Sequence, residues 1–290
     1  METNELIRKV RHIEIKAKGL SRQLFAGQYH SAFKGKGMSF NEVREYQFGD
    51  DVRSIDWNVT ARFNHPFIKI FEEERELTVI LLIDVSKSSM FGSEKIKQDL
   101  IVELAGVLSF SAIQNNDKVG VLFFSDIVEK FIPPKKGAKH ILRIISELLT
   151  YKSTRTATNI EVPLKYITNV IKKKATIFVI SDFQDVNYEV SMKIANNRHD
   201  IVALRTIDER ETELVNVGLL KVADTETGKI QWIDTAASSV REQYAKNWKR
   251  FDTKTDEFFQ KSGIDQVKLY TDKDYVKPLI NLFKKRGSRY

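Results

Sequence analysis

The run Thr78-Val79-Ile80-Leu81-Leu82-Ile83 ends abruptly in Asp84 and continues Val85-Ser86-Lys87-Ser88-Ser89. Six residues without a charge, several of them β-branched, read as a strand buried on both faces, which is a central strand of a parallel sheet. Parallel neighbours need crossover helices, so this one stretch commits the chain to an α/β architecture. It also locates a site, because open α/β sheets receive their ligands in the loops at the carboxyl ends of their strands. That loop opens on one carboxylate, Asp84, and two hydroxyls at alternate positions, Ser86 and Ser88. These are hard oxygen donors of the kind that suits Mg²⁺, which keeps near-octahedral oxygen ligation and several of its waters. Turn chemistry offers a plainer account, with Asp84 as a helix cap and the serines as turn formers.

The spacing Asp-x-Ser-x-Ser after a buried strand resembles the metal-ion-dependent adhesion site of von Willebrand factor A domains. That resemblance implies two further donors, a Thr from a later loop and an Asp after another strand. Thr158, in Ser153-Thr154-Arg155-Thr156-Ala157-Thr158-Asn159, and Asp182, at the end of Ala175-Thr176-Ile177-Phe178-Val179-Ile180-Ser181-Asp182, stand in the right order. The implied metal set is therefore Asp84, Ser86, Ser88, Thr158 and Asp182, holding Mg²⁺ (or Mn²⁺ or Ca²⁺) with one position open to an acidic side chain of a partner. Asn159 stands where many such domains carry Asp.

A second resemblance lies upstream. Arg44-Glu45-Tyr46-Gln47-Phe48-Gly49-Asp50-Asp51-Val52-Arg53-Ser54-Ile55-Asp56-Trp57 meets every position of the pattern Arg-Glu-Tyr-x-x-Gly-Asp-Asp-x-Arg-x-Ile-Asp-Trp, which is typical of domain-of-unknown-function family 58. The likeness continues through Ala61-Arg62, Glu72-Glu73-Glu74-Arg75-Glu76, Val217-Gly218-Leu219-Leu220 and the Asp224–Gly228 turn. It implies a bacterial adaptor that works with an AAA+ ATPase of the MoxR type in the assembly or maturation of other proteins. The alternating charges of Arg44, Asp50, Asp51, Arg53 and Asp56 read as internal salt bridges holding a loop-rich segment. Arg44 and Arg53 are the alternative, contacts for an acidic partner.

Composition narrows the function classes. The 290 residues contain no cysteine, which excludes disulfides, thiol catalysis and Cys-ligated zinc and fits a reducing compartment. The opening Met-Glu-Thr-Asn-Glu-Leu lacks the basic start and apolar core of a signal peptide, and no apolar run reaches the ~20 residues of a membrane helix. A cytoplasmic location is expected. The net charge of +8 permits a nucleic-acid-binding module. Yet the densest basic clusters, Lys172-Lys173-Lys174 and Lys284-Lys285-Arg286, end helical patterns, where cations suit the helix dipole.

An enzyme is not expected. Aspartyl phosphatases place a second Asp two residues after the first, where this chain has Ser86, so a metal-dependent phosphohydrolase lacks its proton shuttle. No phosphate-binding glycine loop follows a strand, and the five histidines, His12, His30, His65, His140 and His199, show no metal-ligand spacing.

In order, the pattern predicts a helix over residues 4–17 stopped by Gly19, β pieces and loops over 27–76 packed against the main domain, then alternating strands and helices. The first crossover helix falls at 95–114. A strand at 117–124 is followed by an antiparallel edge strand at 127–132, closed by Pro133-Pro134. Helices at 138–149 and 160–171, a strand at 175–182, a helix at 188–195 and a strand at 201–206 come next. A hairpin at 217–234, a helix at 240–259, a strand at 265–270 and a helix at 275–284 complete the chain. The division expected is 1–77, the N-terminal helix and β/loop extension, and 78–290, a von Willebrand factor A-like doubly wound sheet with a hairpin insertion around 217–234.

Overall fold

The computed structural model of the chain describes residues 3–25, 38–73, 76–86, 97–153, 155–223 and 230–288. The chain divides into two units, residues 34–77 and residues 1–33 with 78–290.

In the larger unit, six strands form one sheet: β3 (Thr78–Asp84), β4 (Lys118–Phe124), β5 (Val128–Lys135), β6 (Thr176–Ser181), β7 (Asp200–Ile207) and β10 (Asp265–Tyr270). Their order is β10-β7-β6-β3-β4-β5, all parallel except the antiparallel edge strand β5. Numbered along the chain, this is the doubly wound order 3-2-1-4-5-6. It is the mostly parallel sheet that the von Willebrand factor A resemblance implies. The strand order reverses between β3 and β6, which is where sheets of this kind receive their ligands.

Every residue from Val79 to Asp84 is buried, as a run with no polar alternation requires. One face of the sheet presents Ile80, Leu82, Leu122, Phe124, Ile177, Val179, Ile201 and Ala203. They meet Leu164 and Ile167 of α5 (Glu161–Val170), Met192 of α6 (Glu189–Arg198) and Phe259 of α7 (Ser238–Lys261) in one core. The other helices, α1 (Thr3–Phe25), α3 (Lys97–Gln114), α4 (Ala138–Thr150) and α8 (Val276–Gly287), pack among themselves as a second layer.

Three expectations need correction. Helix α1 does not stop at Gly19 but runs to Phe25. Its face continues onto α3: Ile13 and Ala17 crowd Gly106, Ser21 is fully buried, and Gln114 Nε2 donates to Ser21 Oγ at 2.8 Å. Packing outweighs the roughly 1 kcal/mol that a mid-helix glycine costs. For the same reason α1 belongs to the larger unit, whereas the sequence grouped it with the extension. Finally, β5 runs through Pro133 and Pro134 to Lys135, because an edge strand can carry residues that donate no ladder hydrogen bond.

The smaller unit is built on an antiparallel pair, β1 (Met38–Glu45) and β2 (Phe67–Glu73), with a bulge between Phe40 and Glu42. Between them lies a helix the sequence analysis did not anticipate, α2 (Trp57–Phe63), capped by the Asp56 carboxylate, which accepts the Asn58 and Val59 N–H groups. A second antiparallel pair, β8 (Leu219–Ala223) and β9 (Ile230–Asp234), is the expected hairpin of the larger unit; the Asp224–Gly228 turn lies outside the described residues.

Candidate metal centre at the strand switch point

Strand register assembles the site. Ile83 pairs with Ile180, so the next residues along, Asp84 and Ser181, come side by side at the carboxyl ends of neighbouring parallel strands. Ser181 Oγ donates to Asp84 Oδ2 at 2.8 Å. The loop then folds back, and the Ser86 N–H donates to Asp84 Oδ1 at 3.0 Å. Thr158 Oγ1 lies 3.5 Å from Asp84 Oδ2, a long contact from a residue 74 positions away. Asp84, Ser86 and Thr158 are thus brought together, and Ser181 joins them. Ser88 lies outside the described residues.

The loop that carries Thr158 is held from both sides. Glu129 on β5 accepts hydrogen bonds from Ser125, Tyr151 and Ser153 at 2.7–2.8 Å. Asn159 N donates to Ser125 O, Asn159 Oδ1 accepts the Glu161 N–H, and the Ile160 N–H reaches Asp185 Oδ2 at 2.7 Å. The neutral amide at 159 therefore holds the turn that leads into α5.

Asp182 has a different partner. It is the first residue past the end of β6. Its Oδ2 is 3.1 Å from Lys97 Nζ and its Oδ1 accepts the Gln184 N–H at 3.1 Å. Lys97, at the start of α3, is 1% exposed and also binds Glu211 Oε1 at 2.5 Å. Burial works against its ammonium, but Asp182 and Glu211 together hold its pKa above the ordinary lysine value. The lysine is a built-in cation that satisfies Asp182.

Asp84 has no cation beside it among the described residues. Burial first, and the Asp182 charge second, push its carboxyl up to about 6, while the Ser86 and Ser181 hydrogen bonds pull in the opposite direction. A buried carboxylate amid hydroxyls, with no compensating cation among the described residues, is a donor set a divalent cation would relieve. Among the described residues no group of three or more His, Cys, Asp or Glu is placed to hold a metal ion, so any cation here would lean on hydroxyls and water beside the one carboxylate. The residues present fit Mg²⁺, with Asp84 as the anionic donor and Ser86 and Thr158 as hydroxyl donors.

Ser181 and Lys97 were missed by sequence reasoning. Ser181 was legible in principle, as the residue that parallel register sets beside Asp84. Lys97 had no local signal, since its carboxylate partners lie 85 and 114 residues away.

The upstream arginines part company. Arg44 forms a bidentate pair with Asp50, both contacts at 2.8 Å, which raises the arginine pKa and lowers that of the aspartate. Asp56 is bridged to Lys69 at 3.4 Å. Arg53 is exposed and forms no ion pair among the described residues. The internal salt-bridge reading describes Arg44 and Asp50 but not Arg53.

No helix among the described residues is long and apolar enough to cross a membrane. Two solved structures show partial likeness: an aerotolerance-related membrane protein from Bacteroides fragilis (TM-score 0.48, 14% identity, 74% of this chain and 100% of that one) and the hypothetical protein BatB from Bacteroides thetaiotaomicron (TM-score 0.45, 16% identity, 73% and 99%). The fold assignment rests on the strand order above and not on them. Uncharacterised proteins of Mycobacterium tuberculosis and Mycobacterium bovis are 26% identical over 288 residues, covering 97% of this chain and 90% of theirs. The model of the family described as "protein of unknown function DUF58" matches residues 42–254, and the chain belongs to that family.

Proposed function

We propose that this protein is a non-enzymatic interaction protein. It captures an acidic side chain of a partner through a divalent cation, Mg²⁺ by preference, held by Asp84, Ser86 and Thr158. The observation that carries this reading is the buried Asp84 carboxylate, with no cation beside it among the described residues, set among hydroxyls at the topological switch point. The ion would supply a strong, localised positive charge with an exchangeable position for a carboxylate oxygen. The chain's own groups set the rest. Ser181 orients Asp84, the Glu129-anchored loop presents Thr158, and Lys97, shared between Asp182 and Glu211, offsets part of the acidic charge, so that an incoming acid would be drawn to a bound dication.

Family resemblance supports a MoxR-type AAA+ ATPase as the partner and maturation of other proteins as the setting. Hydrolysis finds little support, since Ser181 donates to a carboxylate and, among the described residues, has no hydrogen bond to a histidine that could act as base.

The test is affinity capture of the ATPase by the full chain, in Mg²⁺ and in chelator, with wild type and Asp84→Ala. Capture that requires both Mg²⁺ and Asp84 is expected. Capture indifferent to both would refute the metal mechanism.

A further inference from the structure

Beside the Asp84 site lies an apolar chamber of about 1000 Å³, at the upper end of the range for ligand pockets. Asp84 itself forms part of its wall. The apolar lining comes from Leu149 at the end of α4, from Val215 and Val217 in the segment before the hairpin, and from Leu220, Val222 and Ile233 on β8 and β9. The hairpin alternates as a strand pair should: Leu220 and Ile233 are register partners turned to the chamber, while Leu219, Ile230 and Trp232 are exposed. Val215 and Val217 are 62% and 61% exposed. The apolar surface therefore does not close over a small molecule. Through Val215 and Val217 it continues out of the chamber onto open surface, which suits an extended polypeptide.

Charge settles what that polypeptide carries. Lys152 and Arg210 stand on the chamber wall, exposed, and neither forms an ion pair among the described residues. Glu211, which shares Lys97 with Asp182, and Glu213 are the opposing carboxylates of the described lining. With a dication on Asp84 the charged groups of that described lining sum to a net positive charge.

We infer that this chamber is the docking groove for a partner segment in which a few consecutive apolar residues adjoin an acidic one: the apolar side chains enter between α4 and the hairpin, and the acid reaches the Asp84 site. The inference rests on the metal reading above and adds to it the class of sequence recognised. It gives the hairpin insertion a task, as one wall of a specificity groove.

A fluorescein-labelled peptide, Gly-Ser-Leu-Leu-Leu-Asp-Gly-Ser, tests it by anisotropy against the full chain, beside a control with the three leucines replaced by serine. In Mg²⁺ the leucine peptide is expected to bind at least roughly tenfold more tightly. The double variant Val215→Asp with Val217→Asp, both at exposed positions, is expected to erase that preference while Mg²⁺ binding by calorimetry is unchanged. Equal binding of the two peptides, or no binding of either, overturns the groove. Leucine-dependent binding that the double variant abolishes but chelator does not touch upholds the groove and overturns the metal reading instead.

Discussion

The carboxyl of Asp84 and the imidazole of His199 should pull stability in opposite directions over nearly the same pH range. Asp84 has its pKa raised to about 6 in the fold by burial and by Asp182, so its contribution is present at low pH and lost as pH rises through 6. His199 is buried, neither of its ring nitrogens has a hydrogen-bond partner among the described residues, and burial lowers its pKa to about 4. Its contribution is present above its ordinary value of 6.5 and lost as pH falls toward 4. Each effect is worth on the order of 3 kcal/mol. Urea denaturation between pH 4 and 7 in chelator checks both. Asp84→Asn should remove the loss on the neutral side, and His199→Leu the loss on the acid side. Saturating Mg²⁺ should abolish the Asp84 component alone. Lys97 is the other residue on which charge turns. Replacing it by Met leaves Asp182 and Glu211 buried without their shared cation, and stability should fall by about 3–5 kcal/mol, read from the same denaturation curves.

At the scale of elements, sheet neighbours decide what a sequence position tolerates. Gly120 lies in β4 against the edge strand β5, and a Cβ there would stand 2.9 Å from Pro134 N and 3.0 Å from Ile132 O. Those are backbone atoms and cannot turn aside, so Gly120→Ala should cost about 1–3 kcal/mol and lower the melting temperature. Legibility follows the same division. Strands β3 and β6 were readable because runs buried on both faces leave no ambiguity of period. Helix α1 was cut short because Gly19 is a strong local stop, while the α3 surface that overrides it appears only in three dimensions. Helix α2 was invisible because seven residues give too little periodicity, although Asp56 two positions before Asn58 was a legible cap.

For the molecule as a whole, the doubly wound order brings together the ends of β3 and β6 and the loop before α5, three pieces far apart in sequence. Asp84, Ser86 and Thr158 were legible because their residue types match a spaced pattern. The pairing of Asp182 with Lys97 was not, because an ion pair between distant residues leaves no trace in local spacing. Mg²⁺ titration by calorimetry, on wild type and on Asp84→Ala, decides whether this convergence is a metal site. One dication per chain in the wild type and none in the variant, with both proteins folded by circular dichroism, is the result expected. No heat of binding in the wild type, or the same binding in both, would contradict it.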